Sequence, residues 1–307
     1  MRIVFTGGGT GGHIYPALAM AQLMQQQNPT ARILFIGTKK GLETELVPKA
    51  GFPLIKVAAA GLKRKFSLAN LTVASANALG FVQALGAMHR FQPQVVVGTG
   101  GYVTVPVVLA AACLRRPILL HEQNALPGLA NRVLSRFASC VALSYEQTAA
   151  QFSSARRIVV TGNPVRAPVW QRSRSQGRAN LGISDQAQLV LVFGGSRGAR
   201  PLTEAAIMAA PSLLIDPKLT LLIVTGRADF VTIKKKVCRV GIQALAAGKM
   251  LLRPYMYNME DALAAADIVV TRAGATTLAE ITARGLPAVL IPSPYVTANH
   301  QEHNARI

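Results

Sequence analysis

A strand, a glycine-rich loop and the start of a helix follow one another at two places in this sequence, and this order restricts the fold more than any other feature. Residues 3–6 lead into a loop with glycines at 7, 8, 9, 11 and 12, and residues 188–193 lead into Gly194-Gly-Ser-Arg-Gly198. A glycine loop between a strand and a helix is typical of parallel sheets that bind phosphate groups. We therefore expect two sheets of this kind.

The rest of the sequence supports this expectation, because short β-branched runs alternate with helical patterns in both halves. The alternation predicts parallel sheets covered by helices on both faces. The predicted strands are Arg2–Thr6, Arg32–Ile36, Pro53–Val57, Gln94–Val97, Pro117–Leu120, Cys140–Leu143, Arg157–Val160, Gln188–Phe193, Leu219–Val224, Met250–Arg253, Asp267–Thr271 and Ala288–Ile291. The clearest predicted helices are Pro16–Gln27, Ser67–Arg90, Gly128–Phe137, Gly198–Leu214 and Thr276–Arg284.

The alternation stops between Asn163 and Arg178, where prolines and arginines occur without a clear period. We interpret this stretch as an interdomain linker. A chain of 307 residues fits about two domains, and we place them at residues 1–163 and 164–307. The predicted fold class is α/β, with two doubly wound, Rossmann-like domains facing a cleft, because ligands of such sheets bind beyond the carboxyl ends of the strands.

The net charge of the chain indicates which kinds of molecule it attracts. The chain has 33 Lys and Arg but only 13 Asp and Glu, a net charge of +20. Such a charge attracts nucleic acid, anionic lipid or a phosphorylated substrate. Aromatic residues make up only 6% of the chain, and no basic run is interleaved with them, so nucleic-acid binding has no support.

The cysteines and the apolar runs indicate whether the chain is in a reducing environment and whether it crosses a membrane. Cys113, Cys140 and Cys238 lie in or beside apolar stretches and form no CxxC pair, so we expect buried free thiols in a reducing environment. The first residues lack the pattern of a signal peptide. The longest apolar run, Val103–Leu114, is too short to cross a bilayer, so any membrane contact is expected to be peripheral.

The first glycine loop predicts a diphosphate site. Gly7, Gly9 and Gly12 fit GxGxxG between a strand and a helix, and a tight turn without a ligand is the structural alternative. A nicotinamide cofactor would need an acid at the end of the second strand. Gly37-Thr38 occupies that position and the nearest acid is Glu43, so we expect no dinucleotide cofactor.

Three residues near the predicted sheet edge are candidate general bases. His13 follows the first glycine loop, Tyr102 ends a second glycine turn that begins at Gly98, and Glu122 belongs to His121-Glu-Gln-Asn124. Histidine is well suited to proton transfer near neutral pH. A helix-capping or phosphate-binding histidine is the alternative for His13, and a polar turn is the alternative for residues 121–124.

The second half carries features of a nucleotide site. Ser196 and the amides around it could bind a diphosphate at a helix start, and Arg166 could supply a cation to the same group. Thr276, Thr277 and Glu280 follow a strand, and Glu280 could hold ribose hydroxyls, although Thr277 and Glu280 also fit a capping box. Neither Asp-x-Asp nor a His/Cys cluster with metal-ligand spacing occurs, so we predict no metal and no cofactor.

These motifs together resemble one enzyme family, the MurG family of bacterial N-acetylglucosaminyltransferases. The motifs that carry the resemblance occur in order along nearly the whole chain, namely Thr6-Gly-Gly-Gly-Thr-Gly-Gly-His13, Gly98-Thr-Gly-Gly-Tyr102, His121-Glu-Gln-Asn124, Gly162-Asn-Pro-Val-Arg166, Gly194-Gly-Ser196 and Arg272-Ala-Gly-Ala-Thr-Thr-Leu-Ala-Glu280. The resemblance implies a GT-B fold and an inverting transfer of N-acetylglucosamine from UDP-N-acetylglucosamine to the muramic acid C4 hydroxyl of lipid I, which yields lipid II for peptidoglycan synthesis.

The resemblance also implies roles for individual residues. His13, Tyr102 and Glu122 remain candidates for the base, and the partners would be UDP-N-acetylglucosamine and lipid I. The implied acceptor-binding residues are Thr10, Gly11, Gly12, Gly100, Gly101 and Asn124. The implied donor-binding residues are Arg166, Ser196, Thr276, Thr277, Glu280, His300 and Gln301.

The chain departs from the family near its last residues. Asn299 and Glu302 replace expected residues, and the family usually continues for several dozen residues, so we expect a truncated second domain. Two alternatives stay open: a related GT-B transferase that uses another lipid acceptor, and a binder of nucleotide sugars that does not catalyse. A nicotinamide oxidoreductase is disfavoured.

A basic and apolar segment predicts peripheral contact with an anionic membrane, and the resemblance implies the cytoplasmic face of the plasma (inner) membrane. Leu62-Lys-Arg-Lys-Phe66 precedes the predicted helix Ser67–Arg90. Several apolar side chains fall near one face of that helix, namely Leu68, Leu71, Leu79, Val82 and Leu85. Such a surface suits anionic headgroups, although an ordinary core face with solvated lysines is the alternative.

Overall fold

The chain divides into two compact units, residues 1–166 and 167–307. The computed structural model describes residues 1–61, 69–239 and 248–307. The sequence suggests a boundary between residues 163 and 164, slightly earlier than the division between the units. Each unit is built on its own parallel sheet.

Unit 1, residues 1–166, has a seven-stranded parallel sheet in the order β3-β2-β1-β4-β5-β6-β7. Its strands are β1 (Arg2–Thr6), β2 (Arg32–Gly37), β3 (Leu54–Lys56), β4 (Val95–Gly98), β5 (Ile118–Glu122), β6 (Cys140–Leu143) and β7 (Ile158–Val160). Its helices are α1 (Gly11–Gln27), α2 (Glu43–Lys49), α3 (Ala69–Phe91), α4 (Thr104–Cys113) and α5 (Leu129–Leu134), with short 3-10 helices at Ser135–Phe137 and Glu146–Gln151.

Unit 2, residues 167–307, has a five-stranded parallel sheet in the order β10-β9-β8-β11-β12. Its strands are β8 (Gln188–Phe193), β9 (Leu219–Val224), β10 (Met250–Arg253), β11 (Ile268–Thr271) and β12 (Ala288–Leu290). Its helices are α6 (Ala167–Gln171), α7 (Arg174–Leu181), α8 (Arg200–Leu213), α9 (Phe230–Arg239), α10 (Met259–Ala265), α11 (Ala275–Arg284) and α12 (His300–Arg306), with a 3-10 helix at Thr297–Asn299.

Central strands of both sheets are buried on both sides, which explains their unbroken apolar runs. Val4 and Val96 in unit 1, and Leu191 and Ile223 in unit 2, have no measurable exposure to solvent. In unit 1, α3 packs against α4, and α4 contacts α5. The predicted doubly wound α/β architecture is confirmed in both units.

The interpretation of residues 163–178 as an irregular linker is wrong for most of the stretch, because it forms α6 and the start of α7. Ser173 and Gln176 make a capping box at the beginning of α7. Arg174 and Arg178 both pair with Asp267, although Arg174 is exposed. Arg178 is fully buried, and its guanidinium donates to Asp267 at 2.9 Å and to the carbonyl of Ser184 at 2.7 Å.

Two other expectations also need correction. The strand predicted to end at Leu120 continues through Glu122, so His121 and Glu122 belong to β5 rather than to a polar turn. Cys113 is exposed and Cys140 half-buried, although both are free thiols, so the prediction of buried thiols is wrong for Cys113. The side chain of Cys238 lies outside the described residues.

One helix among the described residues is long and apolar enough to cross a membrane by length and composition alone, Leu71–Phe91 within α3. One face of α3 is buried in unit 1, where Val73, Ala84 and Met88 are covered. The basic segment 62–66 and Leu68, which the sequence singles out, lie outside the described residues.

Candidate active site

The sheet of unit 1 changes winding direction between β1 and β4, and two glycine-rich turns meet there. Thr6 at the end of β1 lies beside Gly98 at the end of β4. The amide of Gly8 donates to the carbonyl of Gly100 at 3.4 Å, which joins the turns after the two strands. The crevice beyond such a switch point is where doubly wound sheets bind ligands.

Close backbone contact between these turns requires glycine. Gly101 has φ +85, and a Cβ there would lie 2.5 Å from the carbonyl oxygen of Gly8. Side chains rarely adopt such a φ, and the clash with backbone could not be relieved by a rotamer change. The repeated glycines of the sequence are therefore a packing requirement as well as a means of approach to a ligand.

A buried carboxylate that the sequence does not single out as functional supports the first loop. Glu43, the first residue of α2, is 1% exposed. One carboxylate oxygen accepts from the amide and hydroxyl of Thr38 at 2.9 and 2.6 Å, and the other accepts from the amide of Gly9 at 3.1 Å. Because its oxygens are used in this way, Glu43 serves the loop rather than a cofactor ribose.

The helix that follows the loop begins at the predicted acceptor residues. Thr10 has extended backbone, its side chain makes no capping hydrogen bond, and α1 starts at Gly11. The N-terminus of a helix carries partial positive charge and N–H groups that favour an anion. Thr10, Gly11 and Gly12 thus lie where a diphosphate would gain most from the helix.

His13 is held by groups at the ends of two other strands. Its Nδ1 lies 3.0 Å from the carbonyl oxygen of Thr99 and 3.2 Å from Oε1 of Gln123. The hydroxyl of Thr99 donates to the carbonyl of His13 at 2.7 Å. The imidazole is half-buried, so one side faces protein while part of the ring stays accessible.

Glu122 is engaged in a different way from His13. Its carboxylate is 2% exposed and accepts from the amide and side chain of Asn124 at 3.0 and 3.2 Å. It also accepts from the amide of Gly128 at 3.1 Å and the side chain of Asn131 at 2.9 Å. With four donors around it, Glu122 fixes the turn that carries the predicted acceptor residue Asn124.

Tyr102 and Gly100 complete the predicted set in unit 1. A Cβ on Gly9 would lie 3.5 Å from the Tyr102 ring, and a Cβ on Gly100 would lie 2.9 Å from Nδ1 of His13. The sequence-predicted residues of the first half therefore lie around one sheet edge.

Arg166, predicted to bind the donor, belongs to unit 1, where its guanidinium stacks over the ring of Tyr15 at 4.7 Å.

In unit 2, the second glycine loop follows β8 and lies against another loop. A Cβ on Gly198 would lie 2.2 Å from the carbonyl oxygen of Thr225, and a Cβ on Gly226 would lie 2.7 Å from that of Arg197. Both glycines have positive φ. Ser196 stands at the tip of this loop, and α8 begins shortly after it, at Arg200.

The neighbouring strand of unit 2 carries the other predicted donor residues. Thr271 at the end of β11 lies beside Phe193 at the end of β8. The following helix α11 begins at Ala275 after Gly274. Thr277 is therefore inside the helix, and the capping box that the sequence offers as an alternative for Glu280 does not form. Glu280 is 7% exposed and lies in the middle of α11.

The last helix is tied to the same edge of unit 2. Gln301 accepts from the amide of Ser293 at 2.8 Å, and the buried Asn304 donates to the carbonyl of Ala273 at 3.2 Å. Arg272 donates to the carbonyls of Ile291 and Pro292, both at 3.0 Å. These contacts place α12, with His300 and Gln301, next to the loop that precedes α11.

Both units match models of one protein family. The glycosyltransferase family 28 N-terminal domain matches residues 3–143, and the glycosyltransferase family 28 C-terminal domain matches residues 189–307.

The chain belongs to glycosyltransferase family 28.

Named relatives in this family are similar along the whole chain. The UDP-N-acetylglucosamine–N-acetylmuramyl-(pentapeptide) pyrophosphoryl-undecaprenol N-acetylglucosamine transferase of Desulforudis audaxviator is 48% identical over 100% of this chain and 82% of its own length. The protein of the same name from Thermoanaerobacter sp. (strain X514) is 46% identical over 100% of this chain and 83% of its own. The resemblance to the MurG family is confirmed.

Solved structures agree with the fold. The crystal structure of Acinetobacter baumannii MurG has a TM-score of 0.68 and 27% identity, and it covers 99% of this chain and 82% of its own. The UDP-GlcNAc 2-epimerase of Neisseria meningitidis has a TM-score of 0.64 at 16% identity over 94% of this chain and 82% of its own. The second likeness concerns the two-domain fold alone.

Several residues that support the candidate site are not identifiable from the sequence. Glu43, Gln123, Asn131 and Asn304 each act through contacts with residues distant in the chain. Only Gln123 carries a usable sequence signal, because it stands between two predicted site residues, Glu122 and Asn124. Nothing in the local pattern distinguishes Glu43 or Asn131 from surface residues.

Proposed function

We propose that this chain transfers N-acetylglucosamine from UDP-N-acetylglucosamine to the C4 hydroxyl of the muramic acid of lipid I, with inversion, and releases lipid II and UDP. The observation that carries the proposal is the location of the family motifs. The motifs that follow β1, β4, β8 and β11 lie at the winding change of each sheet, where phosphate-bearing ligands of this fold bind. Relatives of this named activity match the full chain.

The acceptor diphosphate is assigned to the N-terminus of α1. Thr10, Gly11 and Gly12 start this helix, and Gly100 and Gly101 lie across from the preceding glycines. The helix dipole favours the negative charge of the diphosphate. Asn124, held by Glu122, is assigned to the muramic acid side of the same crevice.

His13 is the proposed base. Its Nδ1 is occupied by Thr99 and Gln123, so Nε2 is the nitrogen left to take a proton. In the reaction Nε2 accepts the proton of the C4 hydroxyl, the oxygen forms a bond to the anomeric carbon, and the bond from that carbon to UDP breaks. Glu122 is the less suitable base, because its oxygens already accept from Asn124, Gly128 and Asn131.

The donor is assigned to unit 2, and the assignment of Arg166 to the donor stays a prediction from the sequence, because Arg166 belongs to unit 1. Ser196 precedes α8, whose N-terminus would stabilise the charge that develops on the UDP leaving group. Glu280 is assigned to the ribose, and Thr276 and Thr277 lie one turn before it in α11. His300 and Gln301 are assigned to the donor sugar, next to the loop that α12 contacts.

The decisive experiment is transfer from UDP-N-acetylglucosamine to a soluble lipid I analogue by wild type and by His13→Ala. Loss of a positioned base typically lowers the rate 10²- to 10⁴-fold, so we expect roughly that loss in kcat, with UDP affinity unchanged. His89→Ala, which removes an exposed histidine from α3, is the matched control and should retain full activity. Absence of transfer by wild type would contradict the function, and a loss below tenfold in His13→Ala would contradict the base.

We also propose that unit 1 meets the membrane through α3 and α5, at the cytoplasmic face of the plasma membrane. Leu71, Leu79 and Val82 on α3 are each more than half exposed, which disfavours the alternative of an ordinary core face. Leu129 and Val133 on α5 are also exposed. Exposed apolar residues in a chain of net charge +20 suit an anionic lipid surface. The free thiols of Cys113 and Cys140 agree with a reducing compartment.

A flotation assay with vesicles of phosphatidylcholine and phosphatidylglycerol tests this surface. Replacing Leu71, Leu79 and Val82 together by Asn should abolish most flotation. Each substitution removes about 100 Å² of apolar surface from the contact with lipid. Met208→Asn with Ile215→Asn is the control, because these side chains are even more exposed but belong to unit 2. Equal flotation of both variants and wild type would contradict the proposal.

A further inference from the structure

The imidazole of His13 has its protonation pattern set by fixed acceptors. The carbonyl oxygen of Thr99, 3.0 Å from Nδ1, can only accept a hydrogen bond. Nδ1 must therefore carry the hydrogen, and in the neutral ring the lone pair is on Nε2. This tautomer is the one that a base acting through Nε2 requires.

The side-chain amide of Gln123 has an orientation that agrees with this tautomer. Its Nε2 lies 3.0 Å from the carbonyl oxygen of His121 and 3.0 Å from Nδ1 of the same residue. Because the carbonyl can only accept, the NH₂ group must face His121. The amide oxygen then faces His13, where it accepts from Nδ1–H at 3.2 Å.

His121 completes the arrangement with the opposite tautomer. Its Nε2 lies 3.1 Å from the carbonyl oxygen of Gly162, so Nε2 carries the hydrogen and Nδ1 accepts from Gln123. The imidazole is buried, and desolvation lowers its pKa to about 4, partly offset by the hydrogen bond to Gly162. His121 is thus neutral near neutral pH, and a second positive charge beside His13 is avoided.

We propose that Gln123 and His121 are positioning residues that keep the basic nitrogen of His13 at Nε2 and stabilise the imidazolium formed when Nε2 takes the acceptor proton. The hydrogen bonds run in one direction, from His13 to Gln123, from Gln123 to His121 and from His121 to Gly162. The role of Gln123 resembles that of the carboxylate in a Ser-His-Asp triad, with an amide oxygen in its place. The proposal rests on His13 being the base of the proposed function.

Other ionisable side chains of the candidate site in unit 1 include Glu122, Tyr102 and Arg166. Glu122 on β5 accepts from Asn124, Gly128 and Asn131. Tyr102 follows β4, and Arg166 stacks over Tyr15 on α1. His121 is the other histidine joined to His13 through Gln123, so its protonation state has to be measured separately.

The first test measures tautomers directly and needs no activity. The chain has five histidines, so nitrogen-15 NMR of protein labelled only at histidine can resolve each ring, with assignments from His13→Ala and His121→Asn. We expect His13 to have its hydrogen on Nδ1 and His121 to have its hydrogen on Nε2. Finding His13 with its hydrogen on Nε2, or His121 protonated on both nitrogens at pH 7, overturns the proposal.

The second test changes Gln123 in two opposite ways. Gln123→Met keeps the size but removes the side-chain acceptor of Nδ1–H and leaves the carbonyl of Thr99 as its remaining acceptor. It should lower kcat roughly 10- to 100-fold, the usual range for a hydrogen bond to a charged group, and move the acid limb of the pH–rate profile to lower pH. Gln123→Glu places a carboxylate beside His13 and should move the acid limb to higher pH. Gln26→Met, an exposed change on α1, should leave kcat and the profile unchanged.

The third test concerns His121. His121→Asn keeps an oxygen near the place of Nδ1 for Gln123, whereas His121→Leu has a similar size and no acceptor. We expect Asn to retain several times more kcat than Leu, with KM for UDP-N-acetylglucosamine equal in both. Equal loss in the two variants, or acid limbs that do not move in opposite directions in the Gln123 variants, overturns the positioning role. An inactive wild type with the expected tautomers would instead contradict the proposed function.

Discussion

The loop after β1 and the loop after β8 have similar sequences, but different groups support them. In unit 1 the amide of Gly9 donates to the buried carboxylate of Glu43, and α1 begins directly after the loop at Gly11. In unit 2 the loop is supported by backbone, because Gly198 packs against the carbonyl of Thr225. The two loops therefore need their glycines for different reasons.

Gly8 in the loop after β1 makes room for a charged side chain, whereas Gly198 in the loop after β8 makes room for main chain. Around Glu43, a Cβ on Gly8 or Gly41 would meet the carboxylate at 2.5 or 1.9 Å, so these glycines make room for a charged side chain. Around Gly198, the added atom would meet main chain, which cannot rotate away. We expect unit 1 to be sensitive to changes of charge and pH, and unit 2 to be sensitive to volume.

The largest expected effect is on unit 2, from Gly198→Ala. The positive φ costs about 1–2 kcal/mol for a residue with a side chain, and the clash with Thr225 adds to it, so we expect a loss of about 3 kcal/mol in the free energy of unfolding. The single tryptophan, Trp170, lies in unit 2, and its fluorescence during urea unfolding measures the loss.

Gly195→Ala is the matched control for this prediction. Gly195 has φ +84, but a Cβ there would meet nothing within 4 Å. The variant should lose only the conformational part, about 1 kcal/mol. Equal losses in the two variants would mean that contact with Thr225 is unimportant.

The next effect is a loss of stability of unit 1 at acid pH, caused by His121. Burial lowers its pKa from 6.5 to about 4, so between these values the unfolded chain binds more protons than the folded one. The stabilisation is fully present above pH 6.5 and is lost as the pH falls towards 4. Between pH 7 and pH 5 we expect a loss of about 2 kcal/mol.

Hydrogen exchange of β5 at pH 7 and pH 5 measures this loss in unit 1. His121→Asn has no group that titrates in this range, so its protection should change about 2 kcal/mol less between the two pH values. A wild-type difference no larger than that of His121→Asn would contradict the assignment to His121.

The smallest effect is that of Glu43→Gln, which replaces one carboxylate oxygen by an NH₂ group. The amide oxygen can still accept from Thr38, but the amide of Gly9 loses its acceptor. We expect a cost of about 1 kcal/mol, the lower end of the range for one unsatisfied buried donor, measured as hydrogen exchange of β1. Glu45→Gln is the control on the same helix, since Glu45 is partly exposed and pairs only loosely with Lys49 at 3.8 Å. Its cost should stay below about 0.5 kcal/mol. If Glu43→Gln costs no more than the control, the loop does not depend on the carboxylate.

Local sequence patterns predict the strands of the fold well. The strands from Gln188 to Phe193 and from Leu219 to Val224 agree with the structure residue by residue, because buried parallel strands form continuous apolar runs. The segment 163–178 differs from the linker that the sequence predicts, because its helices have no clear apolar period. Its second helix, α7, begins with Arg174 and contains Arg178, and the ion pair of Arg178 with Asp267 is not visible in any local period.

The candidate site was predictable in its outline only. Glycines, His13 and Glu122 stand out because they follow apolar strands, and the sheet order brings their positions to one edge. Which of the polar residues is the better base could not be read from spacing, because it depends on what each side chain contacts. The carboxylate of Glu122 accepts from four donors, whereas the imidazole of His13 is held at Nδ1 and remains partly accessible. This difference makes His13 the better candidate for the base.

The sequence by itself determined the α/β class, the two glycine loops and the family, since each is written in residues close together along the chain. The tertiary structure alone decided which groups hold the site: Glu43 beneath the first loop, Gln123 between two histidines, and backbone of the 225–226 turn against the second loop. Hydrogen bonds and close contacts of this kind join residues far apart in sequence, and their donors and acceptors become specific only when folding places them within about 3 Å of each other.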